Sequence, residues 1–451
     1  MPEKIDQAGI GRATRILPVH RFSDCPPDQD IFKKWTAELE QGGPDVTALL
    51  EAAEAIRTSD IPVAFPTETV YGLGADATRS GAVQGIYKAK QRPSDNPLIV
   101  HISSREQLER LLQAPKTSNG AVKDHNTPLI PKIYEPLMER FWPGPLSIIL
   151  PNPSHLPLAP EVTANLSTFA VRMPSSPLAR LLIALADRPV AAPSANASTK
   201  PSPTTAQHVH TDLQGRIDII LDGGPCGVGV ESTVVDGLSS PPAILRPGGV
   251  GIDELRTCPG WENVQIGYKD GALQGKATPR APGMKYKHYS PKAKVVLFEA
   301  GQDNASVVNR VISDINKRPE SEKDRNLPLS IGVVRTKAWK KGLGMLGIPH
   351  LPLDDATNGE TTTSSINCPT NIQIESQQIT SSAPAINMLD ISLGDDTSSI
   401  ARGLFSALRS LDEEDVSIIY VEGISDTEGD LAAAVMNRLR KAAEEEVKVT
   451  Q

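Results

Sequence analysis

The sequence predicts an α/β protein of two domains, an open sheet-based domain followed by a linker and a smaller doubly wound α/β domain. Two observations carry this. Short aliphatic strands recur between helices and loops from Ile61 to Gly249, and a second series begins at Val295. Between them, "TPRAPGMKYKHYSPKAK" from Thr278 to Lys294 is crowded with Pro, Gly and alternating Lys and aromatic residues, and reads as a linker. At 451 residues with 39% hydrophobic content, the chain can bury two ordinary cores.

Residues 1–44 are polar and proline-broken and are expected to form an N-terminal extension. From Asp45, "DVTALLEAAEAI" reads as a capped amphipathic helix that opens the first domain, 45–270. It leads into strand "IPVAF". Ala82, Val83, Ile86 and Tyr87 have helical spacing, and their helix must stop before Pro93, because a residue preceding proline avoids the α region. The strands "PLIVHI", "LSIILP", "FAVRMP", "PVAAPS", "IDIILD", "STVVDG" and "AILRPG" follow, with a polar break at Ala114–Thr127. The linker is assigned to 271–291. The second domain, 292–446, shows strands "VVLFEA", "LSIGVV", "NMLDISLG" and "VSIIYVEG", with helices near Ala305–Lys317, Ile400–Leu411 and Asp430–Ala443. Within it Asp355–Ala385, rich in Thr, Ser, Asn and Gln, is expected to be a disordered insertion.

Bulk chemistry narrows the function. A net charge of -8 and a pI near 5.6 argue against a protein whose main business is neutralising a polyanionic backbone, but allow a local cationic pocket. The four cysteines, Cys25, Cys226, Cys258 and Cys368, form no Cys-x-x-Cys pair, so neither a zinc site nor a disulfide framework is suggested. No long apolar run appears, and the acidic N-terminus "MPEKIDQAGI" is unlike a signal or transit peptide; a soluble, cytoplasmic protein is expected. "GALQGKAT" near Gly271 misses the P-loop pattern by one residue of glycine spacing and by Ala277 in place of Ser or Thr. No complete dinucleotide fingerprint, nucleophile elbow or zincin motif is present.

The strand ends are more informative. Thr67 and Thr69 follow "AF", His101 follows "LIV", Arg172 follows "FAV", Ser194 and Asn196 follow "VAAP", and Arg246 follows "AIL". Ligands in open α/β sheets bind where strand-end loops converge, so these residues point to one polar site. "IYKAKQRPSDNPLIVH" adds Lys88, Lys90 and Arg92 just before a strand. Cations in a last helical turn also suit the helix dipole, and His101 between Val100 and Ile102 also suits a hydrogen-bonded core histidine.

"FPTETVYGLGADA" from Phe65, "KAKQRPSDNPLIVH" from Lys88, "AVRMP" from Ala170, "APSAN" from Ala192, "GVEST" from Gly229 and "APGMKYKHYSP" from Ala281 occur in this order. Together they resemble the threonylcarbamoyl-AMP synthases of the Sua5 and YrdC group. The resemblance is dense over 45–295, and the domain order is similar to that of the longer, Sua5-type members. It implies a YrdC-like twisted open sheet followed by a Rossmann-like domain. It also implies a nucleotidyltransferase that joins L-threonine, bicarbonate or CO2 and ATP into threonylcarbamoyl-AMP and pyrophosphate, a step toward threonylcarbamoyladenosine in tRNA.

Carried over by motif, the resemblance implies ATP binding at Arg92, Asn96, Thr168, Ser194, Asn196, Ser202, Arg246 and Tyr286. It implies threonine binding at Thr69, His101, Arg172, Ala192 and Ser232. Lys90 and Arg92 are expected to face the phosphates and the carbamate as catalytic cations. Mg²⁺ is expected to enter with ATP, held mainly through phosphate oxygens and water, with no protein ligands assigned. Glu68 and Glu231 lie in the motifs without an assigned role. The linker is expected to fold over the site as a lid, with Tyr286 or His288 reaching the nucleotide. A downstream threonylcarbamoyl transfer machinery is the expected partner, with no membrane and no stable nucleic-acid binding. Two other classes compete: an RNA-binding YrdC-like module without adenylate synthesis, and a carbamoyltransferase like the hydrogenase-maturation proteins. The acidic total and the lack of an aromatic platform speak against the first, and the absence of Cys pairs against the second.

Overall fold

The computed structural model describes residues 12–23, 30–113, 129–268, 288–317, 329–344, 365–367, 373–379 and 386–448. The chain forms two compact units, Met1–Ser198 with Ser202–Tyr286, and Lys287–Gln451 with Thr199–Pro201. The lid-like linker lies outside the described residues as far as residue 287, and with it Tyr286 and the P-loop-like stretch. The polar break at 114–127 lies outside them too.

The first unit is built on β1 (Arg15–Pro18), β2 (Val63–Phe65), β3 (Gly72–Asp76), β4 (Ile99–His101), β5 (Leu146–Pro151), β6 (Thr168–Arg172), β7 (Val190–Ala191), β8 (Ile219–Asp222), β9 (Thr233–Asp236), β10 (Ala243–Arg246) and β11 (Gln265–Ile266). They form one mixed sheet in the order β1-β8-β2-β3-β7-β4-β6-β5-β9-β10-β11. Each of the expected strands is present. β3 was not expected, because "GLGAD" carries glycines where strands usually carry branched side chains. β1 was not expected either: Arg15–Pro18 pairs in parallel with Ile219–Asp222, so part of the supposed extension is a strand of the same sheet.

Alternation along each strand sorts side chains to two faces. Val100, Ile148, Val171 and Val235 enter the larger core together with Ala82, Val83 and Ile86 of the helix Ser80–Lys90. That helix lies very close to the preceding loop, since a Cβ on Gly85 would come within 1.9 Å of the Asp60 carbonyl oxygen. It ends as Pro93 requires, with Gln91 in the left-handed region at φ 52°. The opposite face is covered in part by the helices Ile31–Gln41, Pro44–Thr58 and Pro177–Ala186, whose Trp35, Leu49, Ile56 and Leu182 pack on Phe65, Val190 and Leu221. The second of these helices starts one residue earlier than expected. Pro44 takes the first helical position after Gly43, and Asp45 accepts a hydrogen bond from the Arg21 amide at 3.1 Å instead of capping.

The second unit contains β12 (Lys294–Phe298), β13 (Leu329–Arg335), β14 (Ser365–Asn367), β15 (Gln373–Ile379), β16 (Ile386–Ser392), β17 (Ile418–Glu422) and β18 (Glu445–Val447), in the order β14-β15-β16-β13-β17-β12-β18. The pairs from β16 to β18 are parallel. Val307, Val308 and Val311 of the helix Asn304–Asn316 pack on Val296, Phe298, Val333 and Tyr420 on one face. On the other, Gly332 leaves room for Leu411 of the helix Thr397–Glu413. This is the expected doubly wound arrangement. Within Asp355–Ala385, expected as a disordered insertion, β15 adds antiparallel to β16 through the register Ile374↔Ile391 to Ile379↔Ile386, and β14 adds antiparallel to β15. Backbone pairing with an existing edge can hold a polar segment in a strand that its composition alone would not specify. Among the described residues no helix is long and apolar enough to cross a membrane.

Candidate active site

The face of the first sheet opposite the larger core carries a polar row fixed by register. His101 on β4 pairs with Arg172 on β6, Arg172 with Ser147 on β5, Ser147 with Val234 on β9, and Val234 with Arg246 on β10. Residues paired across a sheet point to the same side, so polar groups at the ends of β4, β6 and β10 line up with one hydroxyl near the start of β5. One pleat further along lie Ile99, Ala170 and Ile149, which with Val234 and Leu245 form a small apolar cluster on the same face.

Arg172 is buried and anchors the centre of the row. Its Nε donates to the Gly144 carbonyl at 3.1 Å, Nη1 to Thr69 Oγ1 at 3.0 Å, and Nη2 to Glu68 Oε1 in an ion pair. A guanidinium has five N–H donors, so one on each terminal nitrogen remains for a ligand carboxylate. Thr67 Oγ1 donates to the Val70 carbonyl at 2.7 Å and lies 2.8 Å from Thr69 Oγ1. Thr69 must therefore donate to Thr67, which turns its remaining lone pair toward a ligand donor. The loops carrying these residues are stitched together, Val228 and Gly229 amides donating to the Glu68 and Thr69 carbonyls at 2.8 and 3.1 Å.

Ser232 sits beside this cluster. Its hydroxyl is 2.8 Å from Ser147 Oγ and accepts from Arg246 Nη2 at 3.0 Å, while Arg246 Nε donates to the Ser232 carbonyl at 3.0 Å. The turn after β10 presses on this backbone: a Cβ on Gly248 would fall 2.3 Å from the Thr233 nitrogen and 2.4 Å from the Glu231 oxygen. Only glycine fits there. Ser202 donates to Glu231 Oε1 at 2.5 Å.

His101 is fully enclosed, with Nδ1 3.1 Å from the Ile99 carbonyl oxygen. Burial, then the charge of Arg172, lowers its pKa to about 3, although the carbonyls of Ile99 and Val190 favour the protonated ring. It is neutral at physiological pH. Ala192 donates its amide to the Ile99 carbonyl at 3.0 Å beside this row.

The "KAKQR" and "APSAN" segments meet each other. Lys90 is buried at the end of its helix and donates to the Ser194 carbonyl, to the Asn196 carbonyl at 2.6 Å and to Asn196 Oδ1 at 3.4 Å. Its ammonium, expected at the phosphates, holds the 194–196 loop. Ser194 Oγ donates to Asn196 Oδ1 at 2.5 Å. Arg92, beyond the helix end, donates to the Asn96 carbonyl at 3.4 Å. Asn96 Oδ1 is buried with no hydrogen-bond partner among the described residues, so it is an acceptor that a ligand donor would satisfy. Thr168 shares a face of β6 with Arg172 but lies four residues away, about 13 Å along the strand. A ligand touching both would have to be long.

Two groups carry more than the sequence reading assigned them. Glu68, which the motifs leave without a role, is the counter-ion of Arg172. Ser147 has as its only sequence signal a hydroxyl inside the otherwise aliphatic "LSIILP". Among the described residues no group of three or more His, Cys, Asp or Glu is arranged to hold a metal ion. Cys226 is a buried thiol whose pKa is raised by burial and by nearby Glu68, which leaves it protonated and inert.

Residues 55–248 match a family model described as "Telomere recombination", and residues 250–444 match one described as "Threonylcarbamoyl-AMP synthase, C-terminal domain". The chain is 46% identical over 407 residues to a threonylcarbamoyl-AMP synthase of Schizosaccharomyces pombe, covering 88% of each chain. It is 38% identical over 415 residues to one of Bacillus subtilis, covering 91% of this chain and 97% of that one. Among solved structures, Pyrococcus abyssi Sua5 complexed with L-threonine matches with a TM-score of 0.65 and 38% identity, covering 89% of this chain and 96% of that chain.

Proposed function

The chain belongs to the threonylcarbamoyl-AMP synthases of the two-domain Sua5 type, and from that premise we propose that the polar row of the first sheet is where it joins L-threonine, CO2 derived from bicarbonate, and ATP. The observation that carries this reading is the convergence of Thr69, Arg172, Ser147, Ser232 and Arg246 through hydrogen bonds and strand register.

Threonine binds with its carboxylate on the two remaining N–H groups of Arg172 and its polar atoms near the hydroxyls of Thr69 and Ser232. Neutral His101 and Ala192 border it. The threonine nitrogen captures CO2, and a carbamate oxygen attacks the α-phosphorus while pyrophosphate leaves. Every reactant is anionic or becomes so, which makes fixed cations and neutral donors the main contribution of the protein. Arg92 and Arg246 supply charge to the nucleotide; Asn96, Ser194, Asn196 and Ser202 supply hydrogen bonds; Lys90 keeps the 194–196 loop in shape for them. Thr168 belongs to the far end of the nucleotide site, and Tyr286 is a proposed nucleotide contact on its motif alone.

Mg²⁺ fits this donor set as a companion of ATP, because few protein carboxylates are at hand and the ion readily takes phosphate oxygens and water. When bound it would neutralise phosphate charge. The product is proposed to pass to a transferase acting on tRNA, in the cytoplasm.

The test is pyrophosphate release from purified protein with threonine and bicarbonate omitted in turn. Release that requires both supports the reading; release indifferent to either would end it.

A further inference from the structure

Glu68 has an arrangement that a plain counter-ion does not need. One carboxylate oxygen, Oε1, accepts from Arg172 Nη2. The other, Oε2, is buried and has no hydrogen-bond partner among the described residues. Leaving a buried carboxylate oxygen unsatisfied is costly, the more so for a charged group. Such a cost is borne where a ligand completes the site. The side chain is 13% exposed and Arg172 is 4% exposed, so the pair is sheltered but reachable.

The pair also matches one chemical pattern. An α-amino acid carries a carboxylate and an ammonium on the same carbon, and Arg172 with Glu68 presents the complementary charges side by side. Arg172 keeps two N–H donors and Glu68 keeps one oxygen, with the Thr69 hydroxyl bonded to the same guanidinium. A lone arginine would bind a carboxylate without regard to the amine.

We propose that Glu68 receives the threonine ammonium on Oε2 and is the general base that frees it for carboxylation. The proton balance is simple. The Glu68 carboxylate takes one proton from the –NH3⁺ group, leaving a lone pair on nitrogen. That lone pair bonds to the carbon of CO2 as one C=O electron pair moves onto oxygen. The adduct loses a second N–H proton to solvent and becomes the carbamate. Glu68 returns its proton to solvent before the next turnover. This rests on the assignment of threonine to Arg172 and Thr69, and it adds what makes an ammonium, which is no nucleophile, reactive near neutral pH.

The experiment compares wild type with Glu68→Gln, which keeps an oxygen to accept from Arg172 but cannot take a proton. Glu68→Asp, which withdraws the carboxylate by one methylene, serves as a graded control, and thermal melting checks the fold of each. The kcat/KM for threonine is measured by pyrophosphate release across pH. Glu68→Gln should be about a hundredfold below wild type near neutral pH. The deficit should shrink by about tenfold for each unit of rising pH, as solution supplies free amine without help. Glu68→Asp should fall between the two. A deficit that stays constant with pH in a folded Glu68→Gln protein would reduce Glu68 to a structural counter-ion and overturn the inference, as would wild-type rates throughout. Thr69→Ala is run alongside: an unchanged KM for threonine would remove the threonine site from this cluster and overturn the underlying reading with it. A raised KM there, with a pH-independent Glu68→Gln deficit, overturns the role of Glu68 alone.

Discussion

Arg172 and His101 sit side by side in the register of β4 and β6 and respond to opposite tests. Replacing Arg172 with Lys removes the planar fork that reaches Gly144, Thr69 and Glu68 at once, and a single ammonium cannot reproduce it. Threonine KM should rise by about tenfold or more, as measured by substrate titration; an unchanged KM would detach threonine from this residue. His101 makes a stability prediction instead. Its ring is held neutral in the fold, with a pKa near 3 against an ordinary value of 6.5. The unfolded chain therefore binds a proton that the folded one refuses between these values, so stability is fully present above about pH 6.5 and falls as pH drops toward about 3. The slope attributable to this one residue is about 1.4 kcal/mol per pH unit. His101→Gln, which does not titrate, should flatten the acid side of a stability–pH curve from denaturant unfolding; parallel curves would show the ring to be less shielded. At this scale the sequence displayed the residue types well. It did not display their partners: Glu68 and Arg172 are 104 positions apart, and nothing in "PTETV" says that its glutamate will face an arginine.

Among the elements, the helix Ser80–Lys90 and the 194–196 loop show how two motifs that read as one charge cluster divide their work. Lys90 points into the loop carbonyls and Arg92 lies past the helix end. Lys90→Met should strand those carbonyls and cost about 3 kcal/mol of stability, with activity falling in step. Arg92→Ala should lower turnover by about a hundredfold at an unchanged melting temperature. Equal effects of the two changes on melting and turnover would contradict this division. The stop of that helix was legible because proline dictates it locally. β3 and β1 were not, because a glycine-rich strand and a short strand in a polar segment owe their conformation to neighbours that pair with them. The same holds for β14 and β15 in the supposedly disordered insertion, where composition said one thing and the edge of β16 another.

At the scale of the molecule, each unit has its own core, and a cavity in one should be felt there first. Val333→Ala, on the central strand β13 of the second unit, is expected to cost about 2 kcal/mol and to lower amide protection along β12, β13 and β17, read by native-state hydrogen exchange. Undiminished protection along those strands would refute the boundaries of this core. The sequence by itself determined that the protein is α/β, that two strand-rich regions flank a linker, and which strand ends carry polar chemistry. These follow from periodicity, proline placement and residue type, all of which act within a few positions of the chain. Only the tertiary structure decided that His101, Arg172, Ser147 and Arg246 fall in one row, that Glu68 closes on Arg172 with one oxygen to spare, and that Lys90 is spent on a loop. Strand order and register are set by which faces bury together across long separations in sequence, and a shift of one residue would turn the whole row to the other side of the sheet.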